Sequence, residues 1–267
     1  MILMKKILSL LLALCMASCL FSCKKDESDE KGAFQTYCDA VALTRDLSYQ
    51  KFELSRSVTA DGVNYNEPYY VFCKLIRKDG KTSFYSERTL KVETQAGITE
   101  SVLYHHYENG VMYQTLEKSK MKHTLSQEAF EKQYPTLQGI ILSLPSVSGE
   151  KIADNSDGGS DFVLSLDVSK LEKSEQDKLY SIFELYSSHA LEAGYTIGGN
   201  VDISFSTDFD GYFVKYALSF NVSGTENGEQ KDLKMTLSLD VFNPGSHFSM
   251  VDLPNTSGYV EGTMNIK

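Results

Sequence analysis

Residues 212–222 read YFVKYALSFNV, and apolar or aromatic side chains occupy every even-numbered position of this stretch. Residues 233–241, LKMTLSLDV, repeat the alternation at their odd-numbered positions. A period of two residues is typical of a β-strand with one buried face. Side chains on one face of paired strands are neighbours, so the two stretches predict one continuous apolar wall. We expect these residues of the wall to bind an apolar ligand: Tyr212, Val214, Tyr216, Leu218, Phe220, Leu237 and Leu239.

The stretches belong to a chain whose two halves each place a helix before a series of strands. The first half is predicted to hold a helix at Ala33–Leu47 and strands between residues 52 and 117. Helical spacing puts four apolar residues on one face of that helix: Phe34, Tyr37, Cys38 and Val41. The strands leave no room for helices between them, and Asn109-Gly110 is a tight-turn signal. We therefore expect an antiparallel meander.

The second half is predicted to begin with two short helices, at residues 124–134 and 137–144. A strand at 162–168 precedes the longest helix, which Ser174 is expected to cap at its N-terminus and Gly194 to follow at its C-terminus. The apolar stripe of this helix consists of Leu179, Ile182, Phe183, Tyr186 and Ala190. Three strands then complete the ordered part of the chain, and the last two contain the apolar wall.

This order predicts an α+β fold with an antiparallel sheet of about nine or ten strands. A sheet of that size curves because its strands twist, and its apolar face must be covered. One helix is only about 10 Å across, so either several helices fill the concave face or a cavity remains there. The sequence leaves both alternatives open.

The N-terminus has the layout of a lipoprotein export signal. Two lysines precede an uncharged run at residues 7–22, which is shorter than the about 20 apolar residues of a membrane-spanning helix. The run ends in LFSC, residues 20–23, which matches a bacterial lipobox except at Phe21. We therefore expect residues 1–22 to be a signal peptide and Cys23 to carry diacylglycerol and palmitate.

Three alternatives to this interpretation remain open: an ordinary cleaved signal peptide, an uncleaved anchor helix, and acylation of Cys19 in a second frame. Residues 23–32 are expected to form a charged tether that is too polar to pack and spans at most about 35 Å. Residues 33–267 are expected to form a single β-rich domain. Its predicted location is the cell envelope, where the lipid anchor attaches it to the extracytoplasmic face of a bacterial membrane.

The charge of the chain excludes one large class of partners. The sequence has 26 basic and 36 acidic residues, and its formal net charge is −10. Nucleic-acid binding requires clustered cations, and the sequence has no stripe of Lys and Arg. We therefore do not expect a nucleic-acid partner.

Motifs for catalysis and for metal binding are also missing. No hydrolase, zinc-protease or nucleotide-binding motif follows Cys23, so we expect no enzyme, no catalytic residues and no cofactor. His105 and His106 point to opposite faces of a predicted strand, which disfavours a shared metal ion. The acidic run at residues 154–161 does not fit an EF-hand calcium loop.

Two cysteines remain after the lipobox. Cys38 lies on the apolar side of the first predicted helix, and Cys73 lies in a predicted strand. An exported protein permits a disulfide, but two cysteines at these positions do not define a disulfide framework. A disulfide and two buried free thiols both remain open.

The order of these features resembles that of the LolA-like lipoproteins, including the mycobacterial LppX and LprG type and their clostridial relatives. A lipobox Cys23 and a tether precede a helix, strands around Tyr107–Tyr113 follow, and a long helix precedes residues 208–212, DFDGY, and a three-strand meander. The resemblance implies an unclosed β-barrel wrapped around helices, often with a hydrophobic cavity. It also implies binding or transport of an acyl chain or another apolar molecule, without catalysis.

We expect such a protein to be a monomer that binds an apolar small molecule or lipid. The alternative is a non-catalytic surface interaction or assembly lipoprotein whose barrel is packed and free of ligand. The two functions differ in one observable. The concave face is empty and apolar in the first, and in the second the stripe of the long helix fills it.

Cys23→Ala is expected to release the protein from membranes or to leave its signal peptide uncleaved, because the thiol is the expected acceptor of the lipid. Membrane fractionation and the intact mass of the protein measure this effect. Cys19→Ala is the matched control and should change neither. An unchanged mass and unchanged membrane attachment of the Cys23 variant would show that Cys19 is the acceptor or that the chain is not acylated.

Overall fold

The computed structural model describes residues 32–64, 69–94, 97–154, 160–187, 191–192, 194–253 and 255–264. The helices are α1 (Ala33–Thr44), α2 (Gln127–Gln133), α3 (Leu137–Ile140) and α4 (Lys173–Tyr186), with a 3-10 turn at Val168–Lys170. None of the helices in these ranges is both long and apolar enough to cross a lipid bilayer. The predicted signal peptide, Cys23 and nearly all of the tether lie outside the described residues.

The strands follow the predicted order, with additions. They are β1 (Tyr49–Ala60), β2 (Val63–Asn64), β3 (Tyr69–Lys78), β4 (Lys81–Thr94), β5 (Gly97–Glu108), β6 (Val111–Leu116), β7 (Ser119–Thr124), β8 (Gly149–Asp154), β9 (Ser160–Asp167), β10 (Thr196–Thr207), β11 (Phe213–Glu226), β12 (Glu229–Val241) and β13 (Val260–Glu261).

The 13 strands form one sheet in the order β13-β7-β6-β5-β4-β3-β1-β12-β11-β10-β9-β8, and β2 pairs with β1 outside this order. Only β13 and β7 pair in parallel; all other pairs of described strands are antiparallel. β1 joins the two halves of the chain, because Leu54 lies opposite Val71 of β3 on one side and Leu239 of β12 on the other. Within the described residues the end strands β8 and β13 do not pair, so the α+β fold is an unclosed barrel, as predicted.

Helices cover one face of the sheet, here called the inner face, which includes Leu54, Leu75, Leu218 and Leu237. Aromatic contacts show which helix lies over which strand. They are Tyr37 of α1 with Phe205 of β10 at 5.3 Å, Phe130 of α2 with Phe84 of β4 at 5.1 Å, and Tyr186 of α4 with Tyr69 of β3 at 5.8 Å between ring centroids. Several helices therefore fill the concave face, which is one of the two alternatives that the sequence leaves open.

α1 is shorter than predicted and buries a different face. It ends at Thr44 instead of Leu47 and buries Ala33, Tyr37, Ala40 and Thr44. Thr44 Oγ1 accepts a hydrogen bond from Phe213 N at 2.9 Å and so connects the end of the helix to β11. Small side chains at Ala33 and Ala40 permit close packing, whereas the prediction relied on larger residues. The other members of the predicted stripe, Phe34, Cys38 and Val41, are only half-buried.

α4 differs from its prediction at both ends. Its N-terminal cap is Glu172, whose side chain makes no capping hydrogen bond, and Ser174 lies within the first turn. The helix ends at Tyr186, well before Gly194, and Arg56 Nη1 of β1 donates to the Tyr186 carbonyl there. That contact satisfies one of the carbonyl groups that every helix C-terminus leaves open. The predicted stripe is buried at Leu179, Ile182, Phe183 and Tyr186, and Ala190 lies outside the described residues.

β7 and β13 have no counterpart in the prediction. The sequence of β7, SKMKHT, holds a single apolar residue and shows no alternation. Its pairing with β6 depends on a tight turn in which Glu117 adopts a φ of 52°, and β13 then adds to β7. Both β7 and β13 form because their backbones pair with a neighbouring strand. Such pairing leaves no hydrophobic pattern in the sequence.

Phe183→Ala is expected to lower the free energy of unfolding by about 3–5 kcal/mol, the range for truncation of a buried Phe, because Phe183 is 1% exposed. Urea unfolding followed by circular dichroism measures the change. Phe209→Ala is the matched control, since the Phe209 side chain is fully exposed and its loss should cost less than about 0.5 kcal/mol. Equal effects of the two substitutions would contradict the placement of α4 over the inner face.

Candidate functional site

Most of the predicted apolar wall lies on the inner face of β11 and β12. The register of these strands puts Leu218 opposite Leu237 and Tyr216 opposite Leu239. These four residues and Phe220 are buried, and Leu218 and Leu237 have no solvent exposure at all. The alternation in the sequence thus correctly predicts a continuous apolar surface. The role of this surface in ligand binding stays a prediction.

Tyr212 and Val214 lie outside the buried part of this wall. The register of β10 with β11 shifts between Ser206 and Thr207, and Phe213 is the partner of Thr207. Phe213 is fully buried, whereas Tyr212 and Val214 are half-buried. Such a bulge exchanges the faces of a strand locally. The hydrophobic pattern conceals the bulge because these three consecutive residues are all apolar or aromatic.

α1 and the loop after α3 occupy the space in front of the wall. The ring of Tyr37 lies 5.3 Å from that of Phe205 and 5.6 Å from that of Phe213. Its hydroxyl donates to Leu142 O at 2.7 Å, and Leu142 N donates to Tyr216 Oη at 3.3 Å. Burial raises the pKa of both tyrosine hydroxyls, which therefore stay neutral. Side chains of the protein itself fill the position that the sequence predicts for a ligand.

A cleft of about 290 Å³ opens between α4 and the segment that contains α2 and α3, and we call it the helix cleft. Its apolar and aromatic lining consists of Tyr134, Ile140, Ile182, Leu185 and Tyr186. Its charged lining consists of Glu131, Lys132, Asp177 and Lys178. Leu185 is 42% exposed, so α4 presents an apolar side chain to an open space there. No local pattern in the sequence indicates this cleft, because the cleft depends on the approach of helices that are distant in the chain.

Glu175 ties the first turn of α4 to the rest of the protein, although its carboxylate is buried. It accepts a hydrogen bond from Ser143 N at 3.0 Å and forms ion pairs with Arg45 at 3.6 Å and Lys178 at 3.0 Å. Lys178 Nζ also donates to Ile141 O at 3.2 Å. Burial lowers the pKa of Lys178, and the neighbouring Glu175 opposes that shift. Because removal of one partner from such a buried network is costly, the network fixes the N-terminal end of α4.

Two arginines lie near the C-terminal end of α4, on the inner face. The guanidinium carbon of Arg56 lies 5.2 Å, and that of Arg88 4.5 Å, from the centroid of the Tyr69 ring. Burial raises the pKa of Tyr69 to about 12. The alternation of β1 is a sequence signal for the position of Arg56. Arg56 continues the inner-face alternation of Phe52 and Leu54 in β1, so the alternation puts an arginine inside.

The two adjacent histidines point to opposite faces of β5. His105 Nδ1 lies 3.2 Å from Ser86 Oγ and its Nε2 lies 3.2 Å from Gln114 Nε2, in a row across three strands. Burial lowers the pKa of His105 to about 3. His106 packs against the ring of Tyr85 on the other face, at 4.7 Å. In the described ranges, no group of three His, Cys, Asp or Glu side chains lies close enough together to hold a metal ion.

Cys38 and Cys73 are separate free thiols, so the structure selects one of the two open interpretations. Cys73 is buried on the inner face, and burial raises the pKa of its thiol. Cys38 is only half-buried, which differs from the two buried thiols of that interpretation. Neither side chain lines the helix cleft.

No known protein-family profile matches the sequence, and no protein of curated function is significantly similar to it. Solved structures similar to this chain include LprF from Mycobacterium bovis, at 13% identity and a TM-score of 0.45, over 82% of this chain and 96% of LprF. A porin-like protein from Bacteroides uniformis is 11% identical with a TM-score of 0.27, over 74% of this chain and 99% of that protein. A LolA superfamily protein from Nitrosomonas europaea is 10% identical with a TM-score of 0.26, over 84% of this chain and 95% of that protein.

The similar structures thus include an LppX/LprG-type protein and a LolA superfamily protein, the group that the sequence resembles. The resemblance to clostridial relatives stays a prediction.

Stability is expected to fall as the pH drops from about 6.5 towards about 3, because the folded protein holds His105 neutral while the unfolded chain protonates it. Burial lowers the pKa of His106 too, which acts in the same direction. Urea midpoints between about pH 7 and pH 4 measure the effect. His105→Asn should flatten the dependence, and His247→Asn, at an exposed position, is the control. An unchanged dependence in the His105 variant would refute this assignment.

Proposed function

We propose that this protein is a lipid-anchored extracytoplasmic protein that binds a slender apolar ligand, such as an acyl chain, in the helix cleft. The expected anchor is the acylated Cys23, and residues 23–32 provide the tether to the β-rich domain. The proposal places no catalytic residue and requires no cofactor. The helix cleft is the observation that carries it.

Size and lining of the helix cleft favour a small apolar ligand. Binding sites for small molecules usually have volumes of about 300–1,000 Å³ and are mostly apolar with a few polar groups. At about 290 Å³ the cleft lies just below that range, which favours a single narrow chain. A ligand that covers the exposed part of Leu185 gains about 25 cal/mol for each Å² of apolar surface removed from water.

The attachment of α4 supports the proposal further. Glu175 holds the first turn of the helix, and Arg56 holds its last residue. Between these ends, α4 faces the inner side of the sheet with apolar side chains such as Leu179 and Phe183. Such contacts are not directional, so an acyl chain can replace them without leaving a buried polar group unsatisfied.

Leu185→Asp is expected to weaken binding of a fluorescent fatty-acid probe by roughly tenfold or more, because a charge then faces the apolar ligand. Titration of the purified protein with the probe measures the change. Leu43→Asp is the matched control, since Leu43 of α1 is 41% exposed and lies outside the helix cleft. Equal loss of binding in the two variants would contradict a site in the helix cleft.

One observation favours the second function, a packed assembly lipoprotein without ligand. Leu218 and Leu237 have no solvent exposure, so the wall itself offers no space. Native mass spectrometry of the purified protein distinguishes the two functions by detecting a co-purified lipid. If the folded monomer carries no lipid and binds no apolar probe, the carrier function fails and the assembly function stands.

A further inference from the structure

We propose that the turn between β10 and β11 docks onto another protein, one whose surface offers an apolar pocket bordered by Lys and Arg side chains. The turn comprises residues 208–211, DFDG, and is here called the DFDG turn. Phe209 at its tip enters the pocket, and Asp208 and Asp210 face the surrounding cations. The proposal goes beyond the proposed function, because no residue of the DFDG turn lines the helix cleft.

Phe209 is the most exposed large apolar residue in the part of the chain that the structure describes. Its relative exposure is 104%, compared with 69% for Val63 and 66% for Val260. Aromatic residues of folded domains usually bury most of their large apolar surface. Phe213, the first residue of β11, is fully buried. Phe209, in contrast, keeps a whole aromatic ring available to a partner.

The fold explains the other residues of the DFDG turn but does not require the aromatic ring of Phe209. Asp208 Oδ1 accepts hydrogen bonds from Asp210 N at 3.0 Å and from Tyr212 N at 2.9 Å. Gly211 adopts a φ of 87°, a conformation that suits glycine. The ring of Phe209 makes no ring contact with any residue that the structure describes. A side chain without a role inside the domain is free to act between molecules.

The support beneath the DFDG turn favours docking. Asp208 N donates to Tyr212 O at 2.9 Å, and Gly211 N donates to Asp208 O at 3.1 Å. A Cβ atom at Gly211 would lie 3.3 Å from Leu43 Cδ1, so the end of α1 lies against the base of the turn. A backbone that is already ordered loses little conformational freedom when a partner binds, and such preorganisation increases affinity.

The charges beside Phe209 select the partner. Asp210 is exposed, and among the described residues neither Asp208 nor Asp210 forms an ion pair. The next cation along β11, Lys215, lies directly opposite Asp240 of β12. Complementary charges around an interface speed association and fix its orientation. A rim of Lys and Arg around an apolar pocket therefore complements the DFDG turn.

The same charges argue against two other occupants of the DFDG turn. Anionic lipids attract Lys and Arg, whereas two carboxylates flank Phe209. A second copy of the chain carries the same net charge of −10, and like charges repel each other. The position of the turn agrees with a soluble partner. α1, a helix about 18 Å long, separates the turn from Ala33, the first residue after the predicted tether.

Photo-cross-linking of the full chain, in the cells that naturally produce it, tests the proposal. Phe209→benzoylphenylalanine puts a photoreactive ring at the tip of the turn, and we expect irradiation to join it to one protein, which mass spectrometry identifies. Val63→benzoylphenylalanine is the matched control, because Val63 is also an exposed apolar residue and lies on β2, outside the DFDG turn. The control should not join the same protein.

Binding of that purified protein to the purified chain with Cys23→Ala then measures the contribution of each residue. Phe209→Ala is expected to raise Kd by roughly 30-fold or more, the effect of truncating an interface hot spot. Asp210→Asn is expected to slow association at low salt and to make the rate less dependent on salt, because it removes one attractive charge. Val63→Ala should change Kd by less than about twofold.

Four results would overturn the proposal. The first is the absence of a cross-link at Phe209, or equal cross-links at Phe209 and Val63. The second is a cross-linked dimer of this chain, which would assign the turn to self-association. The third is binding to vesicles of phosphatidylglycerol and phosphatidylethanolamine that Phe209→Ala abolishes, which would assign the turn to a membrane. The fourth is faster association of the Asp210→Asn variant, which would show that the partner is acidic.

A titration with the fluorescent fatty-acid probe separates docking from the proposed ligand binding. Phe209→Ala should leave the affinity for the probe and the thermal midpoint unchanged, because Phe209 is exposed and lies outside the helix cleft. Loss of probe binding or of stability in this variant would show that Phe209 supports the domain itself and would overturn a role in docking.

Discussion

The pairing of β1 with β12 is the constraint on which the rest of the structure depends. β1 begins the first series of strands and β12 ends the second, and they pair without interruption from Phe52–Val241 to Ala60–Leu233. This pairing merges two meanders into one sheet, whose inner face presents apolar side chains from both halves of the chain. Burial of such a surface is favourable at about 25 cal/mol for each Å², so the helices must lie against it.

α4 lies over the inner face of the sheet. It makes polar contacts at both of its ends and apolar contacts between them. Glu175 lies in the first turn and Arg56 contacts the last residue, and both charges match the polarity of the helix dipole. These contacts place the helix in one position without using its apolar stripe. The helix cleft lies beside this stripe, and we therefore place the ligand between helices instead of on the strand wall.

Side chains of the protein occupy the space in front of the strand wall, so we place the ligand elsewhere. The proposed ligand is still an apolar molecule. The wall at Leu218 and Leu237 contributes to the packed core and to stability. The helix cleft, with the partly exposed Leu185, supplies an apolar groove between helices. An apolar ligand in this groove does not require an empty barrel.

The sequence by itself determined the strands β11 and β12 and the stripe of α4, because each depends on a local pattern of apolar and polar residues, and the export signal stays a prediction. It could not reveal the bulge that turns Phe213 inward, nor the rotation of α1 towards Ala33 and Ala40, since both follow from contacts with distant strands. Only the tertiary structure decided what covers the wall. The helix cleft arises where α4 approaches the segment that contains α2 and α3, and contacts between residues that are distant in the chain set that approach, so no local pattern encodes it.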